Sequence, residues 1–281
     1  MTVSIAGLVA GVAGSGLIAL LGYLRGALSP TGVVGAMLVG TLIFGLGGWI
    51  WGLLLIVFFV SSSWLSHYRE AEKAEAMKVF AKGGRRDLGQ ALANGGAGAV
   101  LAVAFAYRPD PLLFAAFLGV MATVNADTWA TELGVLSRRW PRVVMTGKPV
   151  PPGTSGAVSS LGVWASAAGA LLIGAVAALL VQVQALVEGG GLEPMAVTYP
   201  LLAVAGGLAG SLFDSLLGAT VQATYYCERC AKPTESARHR CGYPARKVRG
   251  WPWLNNDLVN LAASLIGGLV AVVLAQALAL I

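Results

Sequence analysis

The sequence predicts an all-α protein, a polytopic transmembrane helix bundle, and three observations support this fold class. Of its 281 residues, 57% are hydrophobic and only 11% are charged, whereas a soluble domain usually carries about 25% charged residues. Glycine is abundant, at 38 residues, which suits close packing of helices in lipid. Apolar runs of about 20 residues, long enough to cross a bilayer, recur along the whole chain.

Eight such runs are predicted to be membrane spans of a single domain covering residues 1–281. Their bounds are 3–24, 31–47, 49–66, 88–107, 111–134, 156–186, 197–223 and 254–280. Only Gly47 and Gly48 separate the second span from the third, so seven spans with a re-entrant segment are an alternative. The sixth span is longer than a bilayer requires, which predicts tilt or an extension beyond it. The N-terminus lacks a basic segment, and we expect no cleaved signal peptide.

Lys and Arg orient these spans. With eight spans, one side of the membrane receives 18 of the 19 Lys and Arg, in the loops 25–30, 67–87, 135–155 and 224–253. The positive-inside rule makes this side cytoplasmic and both termini outward. We therefore expect an inner (plasma) membrane protein whose site faces the cytoplasm. The same charge would attract anionic headgroups or an anionic substrate, although topology alone explains most of the asymmetry.

Polar residues inside the predicted spans gather near this cytoplasmic face. An ionisable residue within a membrane segment is costly and by default marks a functional site. Because five helices agree, we predict a polar cavity rather than scattered packing contacts. Its candidates are the serines 61–63, then Asp87, Gln90 and Asn94, then Asn125, Asp127, Thr128, Thr131 and Glu132, then Ser211, Asp214, Ser215, Gly218 and Gln222, and finally Asn256, Asp257, Asn260 and Ser264.

The acids in this set suit Mg²⁺, which takes oxygen ligands and often joins one or two carboxylates to substrate phosphates. We predict Asp127 and Asp214 as its ligands, with Glu132 and Asp257 next. Asp127 and Glu132 are about 140° apart around a helix, so they share an ion only if the helix unwinds there. A proton or cation pathway lined by the same acids is the alternative.

The segment 146–156 is predicted to be a phosphate-binding loop within the cytoplasmic loop 135–155. Glycines allow close backbone approach, while hydroxyls and a lysine suit phosphate oxygens, and a hydroxyl at its end would cap the next span beside an anion. The pattern is not a Walker A motif, and a Pro/Gly-rich connecting loop explains it equally well. The residues concerned are Thr146, Gly147, Lys148, Gly153, Thr154, Ser155 and Gly156, with Thr154 or Ser155 as the cap.

Two further loops carry features of their own. Cys227, Cys230, His239 and Cys241 have ligands suited to a structural Cys₃His Zn²⁺ site, which we predict to be separate from the cavity. A redox pair or unliganded thiols are alternatives, although the reducing cytoplasm disfavours disulfides.

The loop 67–87 is predicted to form a solvated helix or hairpin, with Arg85 and Arg86 as alternative phosphate contacts. Its mixed charges are Glu70, Glu72, Glu75, Lys73, Lys78 and Lys82.

Five motifs, together spanning most of the chain in order, resemble a known family. It is the integral membrane family that contains the phytyl-phosphate kinases of tocopherol synthesis and the transmembrane protein 19 group, related more widely to CTP-using, dolichol kinase-like enzymes. The motifs are Leu92-Ala-Asn94-Gly95-Gly96, Ala126-Asp127-Thr128-Trp129-Ala-Thr131-Glu132-Leu-Gly134, Thr146-Gly-Lys148 with Pro152-Gly153-Thr154-Ser155-Gly156, Gly210-Ser211-Leu-Phe-Asp214-Ser215-Leu-Leu-Gly218-Ala-Thr220-Val-Gln222, and Asn255-Asn256-Asp257-Leu-Val-Asn260.

The resemblance implies a Mg²⁺-assisted kinase that uses CTP to convert an isoprenyl monophosphate, of the phytyl or geranylgeranyl type, to the diphosphate. The catalytic residues would be Asp127, Asp214, Lys148 and Glu132. Residues binding the donor, the metal or the lipid phosphate would be Asn94, Thr128, Thr131, Thr146, Gly147, Gly153, Thr154, Ser155, Gly156, Ser211, Ser215, Gln222, Asn256, Asp257 and Asn260. The implied partners are the lipid phosphate, the nucleotide and the bilayer, with no nucleic acid and the oligomeric state left open.

Two other functions remain open on the residues alone. A transporter of an anionic or lipid-linked phosphate would usually place its site near the membrane midplane, between inverted repeats. A cytidylyltransferase that makes a CDP-linked lipid would use the same metal and nucleotide but release pyrophosphate. The released product therefore separates a kinase from a cytidylyltransferase.

Overall fold

A computed structural model describes residues 5–77, 85–239 and 241–278. Within these ranges, eight helices are long and apolar enough to cross a membrane, which confirms the predicted bundle. The helices are α1 (Ile5–Leu24), α2 (Pro30–Leu42), α3 (Trp49–His67), α4 (Glu70–Met77), α5 (Leu88–Tyr107), α6 (Pro111–Gly134), α7 (Ser160–Val187), α8 (Tyr199–Thr220) and α9 (Asn256–Ala277).

The second and third spans are separate helices, as the eight-span prediction requires. After α2 the chain continues through one π-helical turn, Ile43–Gly47, and the helical conformation then ends. The break lies at Gly48, whose φ of 94° is a backbone conformation that glycine adopts without steric cost. A short 3₁₀ turn, Pro194–Thr198, likewise precedes α8.

Helix α6 lies at the centre of the bundle and packs on α7, α8 and α9, and also on α3 and α5. Glycines set its closest contacts. A Cβ at Gly119 of α6 would overlap the carbonyl oxygen of Gly267 of α9, and a Cβ at Gly206 of α8 would do the same. The abundance of glycine thus serves close helix packing, as expected for a membrane bundle.

Some intramembrane polar residues only join helices. Asn125 is fully buried; its Oδ1 accepts a hydrogen bond from Ser61 at 3.1 Å, and its Nδ2 donates to the Gly169 carbonyl at 2.7 Å. Thr123 similarly donates to the Gly206 carbonyl at 3.2 Å. These contacts tie α6 to α3, α7 and α8. Asn125, part of the predicted polar cluster, therefore serves to join helices.

Short strands organise the loops on the basic side of the bundle. Strands β1 (Arg142–Val143) and β2 (Ala157–Val158) pair antiparallel. Strands β3 (Thr224–Cys227), β4 (Lys232–Thr234) and β5 (Arg246–Arg249) form a sheet in the order β4-β3-β5. Helix α4 lies in the loop 67–87, of which residues 78–84, including Lys78 and Lys82, fall outside the described residues.

Candidate functional site

A cavity of about 540 Å³ lies where the ends of α5, α6, α8 and α9 meet the loops on the basic side; we call it the polar cavity. Sixteen of the nineteen residues predicted for the site line it. Those sixteen are Asn94, Asp127, Thr128, Thr131, Glu132, Gly153, Thr154, Ser155, Gly156, Ser211, Asp214, Ser215, Gln222, Asn256, Asp257 and Asn260.

Asp127 of α6 and Asp214 of α8 form the centre of the polar cavity, close enough for their charges to interact. The Ser211 hydroxyl lies within reach of the Asp127 carboxylate and accepts a hydrogen bond from the Ser166 hydroxyl at 2.9 Å. With its amide oriented to suit its neighbours, Asn260 donates to Asp214 Oδ2 at 2.8 Å. Two carboxylates brought together favour a bound cation, and their oxygens are the ligands that Mg²⁺ prefers.

Glu132 borders the polar cavity but is held by other groups. Its Oε2 accepts from Lys73 Nζ at 2.5 Å and its Oε1 from the Ser66 hydroxyl at 2.7 Å. Helix α6 is unbroken to Gly134, so the unwinding that a shared ion would require is absent from α6, and Asp127 and Glu132 point to different groups. A helix does form within the loop 67–87, but the expectation of a solvated helix or hairpin there is wrong at Lys73, which is 2% exposed.

The phosphate-loop candidate divides into two halves. Thr146, Gly147 and Lys148 do not line the polar cavity; they form an exposed turn in which Gly147 has a φ of 65° and its amide donates to the Val143 carbonyl at 2.8 Å. The turn brings Lys148 back beside β1, where the Val143 amide donates to the Lys148 carbonyl at 3.0 Å. The structure thus does not bring the Lys148 ammonium to the acids.

The second half of that loop does reach the polar cavity. Gly156 approaches α8 rather than a ligand site, since a Cβ there would overlap the backbone of Ala219. Ser155 donates to the Gly218 carbonyl at 3.2 Å and to Gln222 Oε1 at 3.3 Å. The predicted cap is wrong, because Ser159 caps α7 by accepting from the Gly162 amide at 3.1 Å.

Among the described residues, Arg86 is the Lys or Arg side chain that lines the polar cavity. Its guanidinium donates to the hydroxyls of Ser62 and Ser63 at 2.8 and 2.9 Å and lies 5.5 and 5.4 Å from the ring centres of Phe58 and Phe59. Burial lowers the pKa of Arg86 to about 10, against the opposing effect of the Glu132 carboxylate, so it stays charged at neutral pH. The serine run after Phe59 is the sequence signal for this arrangement.

The Cys/His loop forms one wall of the polar cavity, whereas its four predicted metal ligands, Cys227, Cys230, His239 and Cys241, do not line that cavity. Tyr225 and Glu235 line the polar cavity, and Gln222 Nε2 donates to Glu235 Oε1 at 3.0 Å. Pairing of Tyr225 with Thr234 across β3 and β4 carries Glu235 back to the helix ends. The sequence analysis missed Glu235 because the residues around it carry no pattern that predicts this strand pairing.

Cys227, Cys230, His239 and Cys241 have ligand atoms that all lie within 4.8 Å of one another. His239 Nδ1 is 3.2 Å from Cys241 Sγ, and that hydrogen bond lowers the pKa of Cys241 to about 6. A hydrogen bond with Cys241 raises the pKa of Cys230 to about 11. Within the described ranges, this is the group of three or more His, Cys, Asp or Glu residues close enough to hold a metal ion.

Comparison with known proteins identifies relatives along nearly the whole chain. A family model described as integral membrane protein DUF92 matches residues 16–268. Protein PGR of Arabidopsis thaliana is 34% identical over 266 residues, covering 90% of each chain. An uncharacterized membrane protein of Methanocaldococcus jannaschii is 29% identical, covering 88% of this chain and 85% of its own. Protein VTE6, chloroplastic, of Arabidopsis thaliana is 26% identical, covering 89% and 66%. No solved structure matches.

Proposed function

The chain belongs to the integral membrane protein DUF92 family, which confirms the family resemblance of its motifs, and we propose that it is a CTP-dependent isoprenyl-phosphate kinase. One observation carries the proposal: Asp127 and Asp214, from two different membrane helices, share one cavity with the half-buried cation Arg86. Such a cavity combines a site for a divalent cation with a site for phosphate, and it lies at the membrane face, where a lipid phosphate would lie.

The chemistry asks little of the protein beyond positioning and charge neutralisation. An oxygen of the acceptor phosphate attacks the terminal phosphorus of CTP, the bond to the bridging oxygen breaks, and CDP leaves. The acceptor is already an anion, so no strong general base is required. Mg²⁺, when bound, would neutralise charge on the triphosphate oxygens.

The central side chains of the polar cavity would then have distinct roles. Asp127 and Asp214 would hold the cation, with Ser211 and Asn260 fixing the two carboxylates. Arg86, fixed by hydroxyls and aromatic rings, would bind the acceptor phosphate. Lys148 remains a predicted phosphate contact, and the exposed turn would have to move toward the acids to bring it there. Glu132 remains a predicted catalytic acid.

The proposal places this reaction at the cytoplasmic face of the inner (plasma) membrane. The loops around the polar cavity belong to the side that holds 18 of the 19 Lys and Arg, which the positive-inside rule makes cytoplasmic. A position at one face also disfavours the transporter alternative, since transporter sites usually lie near the midplane.

The direct test incubates detergent-purified protein with Mg²⁺, phytyl or geranylgeranyl monophosphate, and each of the four nucleoside triphosphates in turn. We expect isoprenyl diphosphate and CDP to appear in equal amounts by mass spectrometry. Pyrophosphate with a CDP-linked lipid would instead identify a cytidylyltransferase. Folded protein that yields no product with any donor would contradict the kinase proposal.

We also propose that the Cys/His cluster holds a structural Zn²⁺, since a Cys₃His set suits that metal and its four ligand atoms lie within 4.8 Å of one another. Replacing His239 with alanine should remove about one equivalent of zinc, measured by elemental analysis, and lower the thermal unfolding midpoint. The matched control is His67→Ala, because His67 is exposed at the end of α3 and belongs to no metal-ligand cluster in the described part of the chain. Wild-type protein that purifies without zinc would contradict this assignment.

A further inference from the structure

A second cavity, of about 300 Å³, lies between α1, α2, α3 and α5; we call it the apolar cavity. Its walls are aliphatic and aromatic, with Leu17, Ile18, Val39, Phe44, Leu55 and Phe59 among them. The volume lies at the low end of the range for small-molecule sites. A cavity with such walls would bind a hydrocarbon chain rather than a nucleotide.

The apolar cavity meets the polar cavity at three residues. Arg86, Gln90 and Asn94 line both. Gln90 and Asn94 lie four residues apart in α5, hence on one face of that helix, and Arg86 lies just before Asp87, the N-cap residue of α5. The junction therefore presents a cation and two side-chain amides between a hydrocarbon-lined space and the paired carboxylates.

Arg86 marks this boundary by its own contacts. The rings of Phe58 and Phe59, which lie 5.5 and 5.4 Å from its guanidinium carbon, both line the apolar cavity. Ser62 and Ser63 hold the guanidinium in place. An amphiphile with an anionic head and an apolar tail would match the guanidinium and the adjoining apolar cavity, since a planar guanidinium suits phosphate.

The far side of the apolar cavity reaches the lipid-facing surface of the bundle. Leu17 lines the cavity and is 58% exposed on α1. Helix α3 packs mainly on α6 and on the π-helical turn, which leaves space between α3 and the group formed by α1, α2 and α5. A chain longer than the cavity can therefore extend from it toward the bilayer.

From these observations we infer that the apolar cavity binds the head-proximal isoprenyl units of the acceptor, with its phosphate held at Arg86, Gln90 and Asn94. The phosphate would then face CTP across the junction, while the tail never enters the polar cavity. The identity of the tail rests on the proposed function; the amphiphile-binding geometry does not.

The cavity can be obstructed without disturbing its walls. Gly14 of α1 lines it, and a Cβ there would have no atom within 4 Å, so Gly14→Leu can extend into open space from its Cβ. Ala36→Leu, from α2, is a second obstruction. Gly96→Leu is the matched control, because Gly96 is also a helical glycine with no atom within 4 Å of its Cβ and lines neither cavity.

The first measurement is binding, using an isoprenyl monophosphate that carries a photoreactive diazirine on its second isoprene unit. In wild type and Gly96→Leu we expect labelled peptides from α1, α2, α3 or α5, competed by unlabelled isoprenyl phosphate. Gly14→Leu and Ala36→Leu should lower that labelling on the order of tenfold, as expected when a filled pocket excludes a substrate group. Unchanged labelling in both variants, or equal competition by phosphatidylglycerol, would overturn the inference.

The second measurement is turnover, and it separates this inference from the proposed function. Gly14→Leu should raise KM for geranylgeranyl monophosphate on the order of tenfold while leaving KM for CTP unchanged. Labelling of the apolar cavity by a wild-type protein that makes no product would end the kinase proposal and retain the lipid site. Turnover with label found only outside α1, α2, α3 and α5 would retain the kinase and end this inference.

Discussion

Replacing Asp214 with asparagine should lower the rate of isoprenyl diphosphate formation by at least about 100-fold, the scale on which lost electrostatic stabilisation acts. Asparagine keeps the size of the side chain but removes one of the two charges that would hold the cation. Asp127→Asn should have a similar effect. Neither change should destabilise the fold, because the two acids repel each other and neutralising one relieves that repulsion.

The measurement combines initial rates over a range of Mg²⁺ concentrations with thermal unfolding of the same samples. A loss of rate with an unchanged or raised unfolding midpoint would separate a catalytic acid from a structural one. Asp110→Asn is the control: Asp110 caps the opposite end of α6 by accepting from the Leu112 amide at 2.9 Å, so its loss should leave the rate unchanged. Wild-type rates in both Asp127→Asn and Asp214→Asn would defeat the metal assignment.

The spans could be predicted because each one follows from composition alone. A run of apolar residues must form a helix in lipid, since only regular structure satisfies every backbone group there. The cavity could be anticipated for a related reason: polar residues near the same end of neighbouring spans converge wherever those spans end together. Asp127 and Asp214, 87 residues apart, meet for that reason.

What the sequence does not separate is a polar residue that serves the site from one that joins helices. Asn125 and Asp127 are two residues apart in the same helix, yet Asn125 hydrogen bonds to α3 and α7 while Asp127 faces the cavity. The difference depends on which neighbouring helix each side chain meets. That information is tertiary and has no local signal.

The loops were harder to predict for the same reason. The residues around Lys73 mix Glu, Lys and Ala and resemble a solvated helix, but Lys73 is buried against α3 and α6. The Cys/His loop resembles an independent zinc module, but its strand pairing brings Glu235 to the polar cavity. In both segments a long-range contact overrides the local pattern.

Breaking the buried ion pair between Lys73 and Glu132 should have the second large effect, a loss of stability. Their side chains are only 2% and 8% exposed, and Lys73 also donates to the Leu65 and Ser66 carbonyls at 2.7 and 3.2 Å. Glu132→Gln leaves the ammonium buried without its counter-ion, which typically costs about 3–5 kcal/mol. We expect the unfolding midpoint to fall by roughly 10 °C.

Glu72→Gln is the matched control, because it breaks an ion pair with Arg69 in the same segment whose side chains are 55% and 48% exposed. Such exposed pairs contribute little, so the midpoint should not change. Adding Lys73→Met to Glu132→Gln should recover much of the loss, since both buried charges are then gone. If Glu132→Gln instead loses turnover while its midpoint matches wild type, Glu132 acts in catalysis, and its pairing with Lys73 serves to position its carboxylate at the polar cavity.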